Sequence, residues 1–178
     1  MRIFVHSCCG PCLIGVAETL RREGHEITAF WYNPNVMPYR EYRRRRGAFR
    51  EVCDRLNIKP EVADEYDLPL ILGRVLAPAE KPGRCANCYG LRLNETARRV
   101  ADGGYDAFAT TLMISSRQDC DLVRGAAAAA SNKHGVPFLD RDFRDVEESS
   151  HAAAREMGVH IQGYCGCIYS EEERYRKK

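Results

Sequence analysis

The sequence lacks any apolar run approaching the ~20 residues that a membrane-spanning helix requires, so no transmembrane segment is expected. Its opening residues, MRIFVHSCCGPC, hold no long apolar stretch followed by a small-residue cleavage site. That argues against a secretory signal, and a cytoplasmic protein is the expectation. It lacks a large charge excess: 27 Lys and Arg against 25 Asp and Glu leave +2, so the molecule as a whole is not a polycation. No internal repeat and no linker divides the 178 residues, and that length suits one domain with a substantial core. His25, His134, His151 and His160 fall in no recognisable ligand spacing. His6 lies inside the first strand segment and reads as a core histidine.

What the chain does have is cysteine. There are nine: Cys8, Cys9, Cys12, Cys53, Cys85, Cys88, Cys120, Cys165 and Cys167. In a secreted protein they would suggest a disulfide framework. In a reducing compartment the same count favours metal binding or redox catalysis. Cys9-Gly10-Pro11-Cys12 has the form of a thioredoxin-type dithiol, and a helix start lowers thiol pKa. That reading leaves Cys8, Cys85-x-x-Cys88 and Cys165-Gly166-Cys167 unexplained. Cys8 and Cys9 at a strand end, joined by Cys85 and Cys88 on one side of a helical turn, supply four thiolates. Four thiolates suit a structural zinc ion or an iron–sulfur cluster. The two cysteines of C-G-C can close a small strained ring suited to redox cycling, or can themselves be metal ligands. Cys53 shares a helical face with Phe49, Val52 and Leu56 and reads as a buried small hydrophobe. Cys120 is expected to be structural.

Strands are expected at 2–7, 26–32, 60–63, 105–111 and 136–140, and helices at 11–22, 39–56, 68–77, 85–100, 118–133 and 145–157, from hydrophobic period and breaker residues. Their alternation implies an α/β three-layer sandwich with a mostly parallel sheet. Strand-end loops of such sheets build ligand sites, and Cys8, Cys9, Thr110 and Thr111 fall at strand ends.

Five segments occur in a fixed order: HSCCGPC, WYNPNVMPYREYRRR, RCANCYGLRLNETA, FATTLMISSRQD and GYCGCIYS. Together they resemble the QueH family of epoxyqueuosine reductases, which is unrelated in sequence to the cobalamin-dependent QueG enzymes. The resemblance covers residues 2 to about 170. It implies a Rossmann-like fold of the HUP class, akin to PP-loop ATP pyrophosphatases. SCCGPC stands where a PP-loop would cradle phosphate, which argues against ATP binding there. It also implies removal of the epoxide oxygen from epoxyqueuosine in a tRNA anticodon loop, the last step of queuosine biosynthesis. A [4Fe-4S] cluster, an additional iron and a redox-active C-x-C pair come with it.

Carried over by position, Cys8, Cys9, Cys85 and Cys88 match the cluster ligands, and Cys165 and Cys167 the redox pair. Cys12 fits a ligand of the additional iron or a replacement for Cys8 or Cys9. Asp119, Tyr89 and Tyr164 are candidate proton donors by their places beside the motifs. The expected partners are the tRNA anticodon stem-loop and an unnamed electron donor, with no membrane. On the arginine-rich helix, Arg43, Arg44, Arg45, Arg46 and Arg50 are expected to be exposed and to meet phosphates. Asn33, Asn35, Tyr39, Tyr42, Thr110, Thr111, Ser115 and Gln118 are candidate substrate contacts, and Trp31 is expected in the core. The competing readings are a zinc-stabilised RNA-binding domain and a glutaredoxin-like thiol oxidoreductase.

Overall fold

The structure is a computed structural model that describes residues 1–176. Its first segment shows why a parallel sheet forms. Ile3, Phe4 and Val5 are apolar without alternation and have no solvent exposure, as strands covered on both faces require. β1 (Arg2–His6) leads into α1 (Gly10–Arg22), then β2 (Glu26–Trp31), α2 (Tyr39–Arg55) and β3 (Lys59–Val62). A short α3 (Leu68–Leu70) follows, then α4 (Gly83–Gly103), β4 (Ala107–Thr110), α5 (Cys120–His134), α6 (Glu147–Glu156) and α7 (Ile168–Tyr175). The four strands are all parallel in the order β3-β2-β1-β4. Helices cover both faces: α1 packs on α2 and α6, and α4 packs on α5 and against β1 and β4. This is the expected three-layer, Rossmann-like α/β sandwich.

The chain order reverses between β1 and β4. The crevice beyond the carboxyl ends of those two strands is where open α/β sheets bind ligands. His6 pairs with Thr110 at that edge, and Cys8 and Thr111 stand just past it. His6 and Trp31 are both fully buried, as expected.

Three expectations need correction. Residues 136–140 make no strand but a single parallel bridge, Phe108 to Phe138. Pro137 has no N–H to extend a ladder and offers only its carbonyl, to Phe108 N at 3.0 Å. The helix expected over 68–77 widens after one turn into a π-helix, Ile71–Val75, closed by Leu76 N donating to the Ile71 carbonyl at 2.9 Å. Finally, α7 was not foreseen. It is eight residues long, too short to stand alone in water, and Glu173 fastens it by pairing with Lys81 at 2.9 Å and with Arg84. Among the described residues no helix is long and apolar enough to cross a membrane.

Candidate active site

The turn after β1 brings three sulfurs together. Cys8, Cys9 and Cys12 place their Sγ atoms within 4.8 Å of one another. Cys9 is the N-cap of α1, and its sulfur accepts from Cys12 N at 3.2 Å. Pro11 fits that first turn because a helix start has no use for its missing N–H. Gly10 is required there for a different reason: a Cβ would meet the Ala48 carbonyl oxygen at 2.6 Å. Thr111, from the end of β4, orients Cys8 with one hydroxyl. It accepts from Cys8 N at 2.9 Å and donates to Cys8 Sγ at 3.1 Å. Gln162 Nε2 donates to Cys9 Sγ at 3.0 Å.

The three thiols share protons unequally. Hydrogen bonds from Cys12 and Cys9 hold Cys8 well below the usual thiol range. Burial raises Cys9, and its bond to Cys8 raises Cys12. Three free thiols, two of them buried, form a soft donor set suited to zinc or iron–sulfur ligation rather than to Mg2+ or Ca2+.

A second group of sulfurs comes from α4 and the C-terminal segment. Cys88 and Cys167 lie in one small apolar cluster with Met37, Ile71, Val75 and Leu76. Burial pushes the Cys88 thiol up to about 12 and also raises Cys85. Cys165 is exposed. Tyr89 donates its hydroxyl to Gln118 Oε1 at 2.6 Å, and Gln118 Nε2 donates to Cys165 Sγ at 3.3 Å. Between Cys165 and Cys167, Gly166 has φ +143°. A Cβ on it would sit 3.2 Å from Asn35 Nδ2 and 3.3 Å from Arg45 Nη1.

Arg92 joins the two groups. It is 2% exposed, pairs with no carboxylate among the described residues, and leaves Nη2 unpartnered. Its Nε donates to the Cys88 carbonyl at 3.2 Å and Nη1 to Asn33 Oδ1 at 3.5 Å. Burial opposes its charge, while proximity to the sulfurs of Cys88, Cys165 and Cys8, which favour it when ionised, acts in the other direction and raises its pKa. Its direct partners among the described residues are the neutral oxygens of the Cys88 carbonyl and the Asn33 amide, so a buried cation here lacks the paired anion it would normally have.

Cys8, Cys12, Arg92, Ser115, Gln118, Gln162, Tyr164 and Cys165 all line one cavity of about 720 Å3. Of the residues expected at the site, Cys85 and Cys88 lie outside the three-sulfur group. Thr110 and Thr111 are buried behind it and act on His6 and Cys8. Asn33 spends its amide on the Ser7 carbonyl at 2.8 Å, and Asn35 is buried. Tyr42 is buried against Trp31, with its hydroxyl on Asp64 at 3.1 Å, and Arg46 also pairs with Asp64. Tyr39 is half exposed and Arg43 exposed, but neither lines the cavity. Asp119 caps α5, accepting from Leu122 N at 3.1 Å. Cys53 is fully buried, and burial raises its thiol to about 12.

Arg45 corrects the sequence expectation. It is 2% exposed, not solvated. It donates to Glu41 Oε1 at 2.7 Å and to the carbonyls of Tyr164 and Cys165 at 3.0 Å each. The spacing 42–45–49–52 places it on the apolar stripe of α2, a signal that the run of four arginines masked. Gln162 had no such signal, because it lies in an aperiodic stretch.

The family model described as "Epoxyqueuosine reductase QueH" matches residues 3–173. A relative of that name from Dehalococcoides mccartyi is 30% identical over 176 residues, covering 99% of this chain and 96% of its own. Another, from Thermotoga maritima, is 29% identical and covers 98% and 93%. Among solved structures, the tRNA thiolase NcsA of Methanococcus maripaludis, solved with its [4Fe-4S] cluster, superposes with a TM-score of 0.58. It is 14% identical and covers 96% of this chain and 61% of its own. A predicted tRNA methyltransferase subunit from Methanocaldococcus jannaschii gives 0.56 at 14% identity over 89% of both chains. These two structures establish a shared fold. The near-complete family match places an oxidoreductase on that fold: the chain belongs to the QueH family of epoxyqueuosine reductases.

Proposed function

We propose that this single-domain protein converts epoxyqueuosine to queuosine in the anticodon loop of tRNA, the last step of queuosine biosynthesis. The observation that carries the reading is the gathering of Cys8, Cys9 and Cys12 beside a cavity that Cys8, Cys12 and Cys165 line. The net reaction takes an epoxide, two electrons and two protons to an alkene and water. Cys8, Cys9, Cys12, Cys85 and Cys88 provide five thiols. Four are enough for a [4Fe-4S] cluster, and the fifth can hold an additional iron. When bound, the cluster and iron supply electrons and a Lewis acid for the epoxide oxygen.

The chain's own residues do the rest. Thr111 and Gln162 fix the sulfurs of Cys8 and Cys9. Gln118 holds the Cys165 thiol beside the cavity, and Ser115 contributes a polar wall. Oxidation of Cys165 and Cys167 to a disulfide releases two electrons and two protons, which balances the reaction. An external electron donor then restores the dithiol. Asp119 is occupied by its cap, so the dithiol is the better proton source. Exposed Tyr39 and Arg43 remain available to RNA beyond the cavity.

The test is anaerobic purification followed by incubation with tRNA carrying epoxyqueuosine and a strong reductant, with nucleosides read by mass spectrometry. A brown protein containing iron and sulfide that forms queuosine supports the proposal. A colourless zinc protein that leaves the epoxide intact refutes it. With Cys167→Ser, turnover should require the chemical reductant; unaltered electron demand removes the relay role.

A further inference from the structure

Three separate stretches of chain place four arginines on the cavity lining: Arg117 before α5, Arg144 just before α6 with Arg155 inside it, and Arg174 in α7. All four are exposed. With Arg45 and Arg92, the lining holds six arginines against two glutamates, in a chain whose net charge is only +2. The cavity mouth is therefore a positive patch distinct from the exposed arginines of α2.

Some exposed arginines elsewhere are neutralised. Arg55 pairs with Glu51, Arg98 with Glu95 and Asp102, and Arg124 with Asp121 and Asp140. At the cavity Arg144 has Asp142, but Arg117, Arg155 and Arg174 pair with no carboxylate among the described residues. Of the two lining glutamates, Glu147 is engaged by Ser116 N at 3.0 Å. On the arginine-rich α2, Arg45 is buried, Arg46 is held by Asp64 and Arg55 by Glu51; Arg40, Arg43, Arg44 and Arg50 are exposed with no carboxylate partner among the described residues, but none of them lines the cavity.

We propose that Arg117, Arg155 and Arg174 form the phosphate-gripping rim for an RNA loop that inserts one nucleoside into the cavity. This rests on the RNA substrate proposed above and moves the main grip from α2 to the cavity mouth. An unpaired base can be splayed out and read in a pocket, but the phosphates before and after it must stay outside. Cations from several chain segments around one opening suit that arrangement. Phosphate contacts position the chain, while the pocket specifies the base.

The experiment uses the full-length, cluster-loaded protein under anaerobic conditions. Fluorescence anisotropy measures its binding to a labelled anticodon stem-loop RNA across a potassium chloride series. Combining Arg117→Gln, Arg155→Gln and Arg174→Gln should weaken binding at least tenfold at low salt. It should also flatten the slope of log K against log salt by about 2, at roughly 0.7 per lost single-strand contact. Combining Arg40→Gln, Arg44→Gln and Arg50→Gln on α2 should change the slope less. A rim variant with wild-type slope, beside an α2 variant that loses it, overturns this proposal and leaves the RNA substrate standing. A wild-type protein that binds no RNA at any salt overturns both.

Discussion

Replacing Arg45 with methionine tests whether one buried cation fastens the segment that carries Cys165 and Cys167. The guanidinium makes three hydrogen bonds, to Glu41 at 2.7 Å and to the carbonyls of Tyr164 and Cys165 at 3.0 Å each. It also stacks over the Tyr164 ring, 4.9 Å from the centroid. Bonds to a charged group contribute about 1.5–3 kcal/mol each, but removing the arginine from water offsets much of that sum. The better guide is the cost of breaking a buried pair, about 3–5 kcal/mol. Glu41, 12% exposed, would be left with His160 at 3.1 Å as its remaining partner. At about 1.4 kcal/mol per factor of ten, the detached state should rise at least a hundredfold. Cys167 is 9% exposed, so its alkylation rate reports detachment, and hydrogen exchange over 160–176 gives a second reading. Arg45→Lys should fall between, since one ammonium cannot span both carbonyls and Glu41. Alkylation within twofold of wild type, with a stability loss under about 1 kcal/mol, would refute the fastening role.

Two further predictions concern the same region and the sulfurs. Burial works against the Glu41 charge, but the hydrogen bonds from Arg45 and His160 outweigh it and hold its carboxyl below the ordinary value of 4.5. Its contribution is therefore complete above pH 4.5 and lost as pH falls through the lowered value. Exchange over 160–176, corrected for intrinsic rates, should stay flat from neutral pH to about 5 and rise on further acidification; a rise already complete at pH 6 would contradict this. Cys12→Ser should lower bound iron after anaerobic reconstitution, whereas Cys53→Ser should leave iron unchanged and lower only stability. Equal iron loss in both would separate metal binding from the triad.

Much of the architecture was legible because both kinds of element have strong patterns. The unbroken IFV of β1 and the 3.6-residue stripe of α2 each permit one reading. The position of Cys8 and Cys9 followed from a strand running straight into a helix opened by Pro11. What stayed hidden depends on contacts distant in sequence. Gln162 reaches Cys9 across 153 residues, from a stretch without periodicity. Arg92 sits four residues after Cys88 on the same face of α4, a spacing that could have drawn attention to it. Its lack of a carboxylate partner among the described residues is a tertiary fact that no local pattern encodes. The strand expected at 136–140 shows the opposite error: suitable composition with a proline where a donor was needed.

The glycine between the last two cysteines carries a consequence for anyone seeking to retune that pair. In the redox role proposed above for Cys165 and Cys167, the residue separating the sulfurs would be the natural place for adjustment. Here the spacer is chosen by its neighbours, because any side chain on Gly166 would press on Asn35, Val36 and Arg45. A substituted spacer would dislodge the tail before it altered the thiol chemistry, so the accessible handle on the potential is the amide of Gln118.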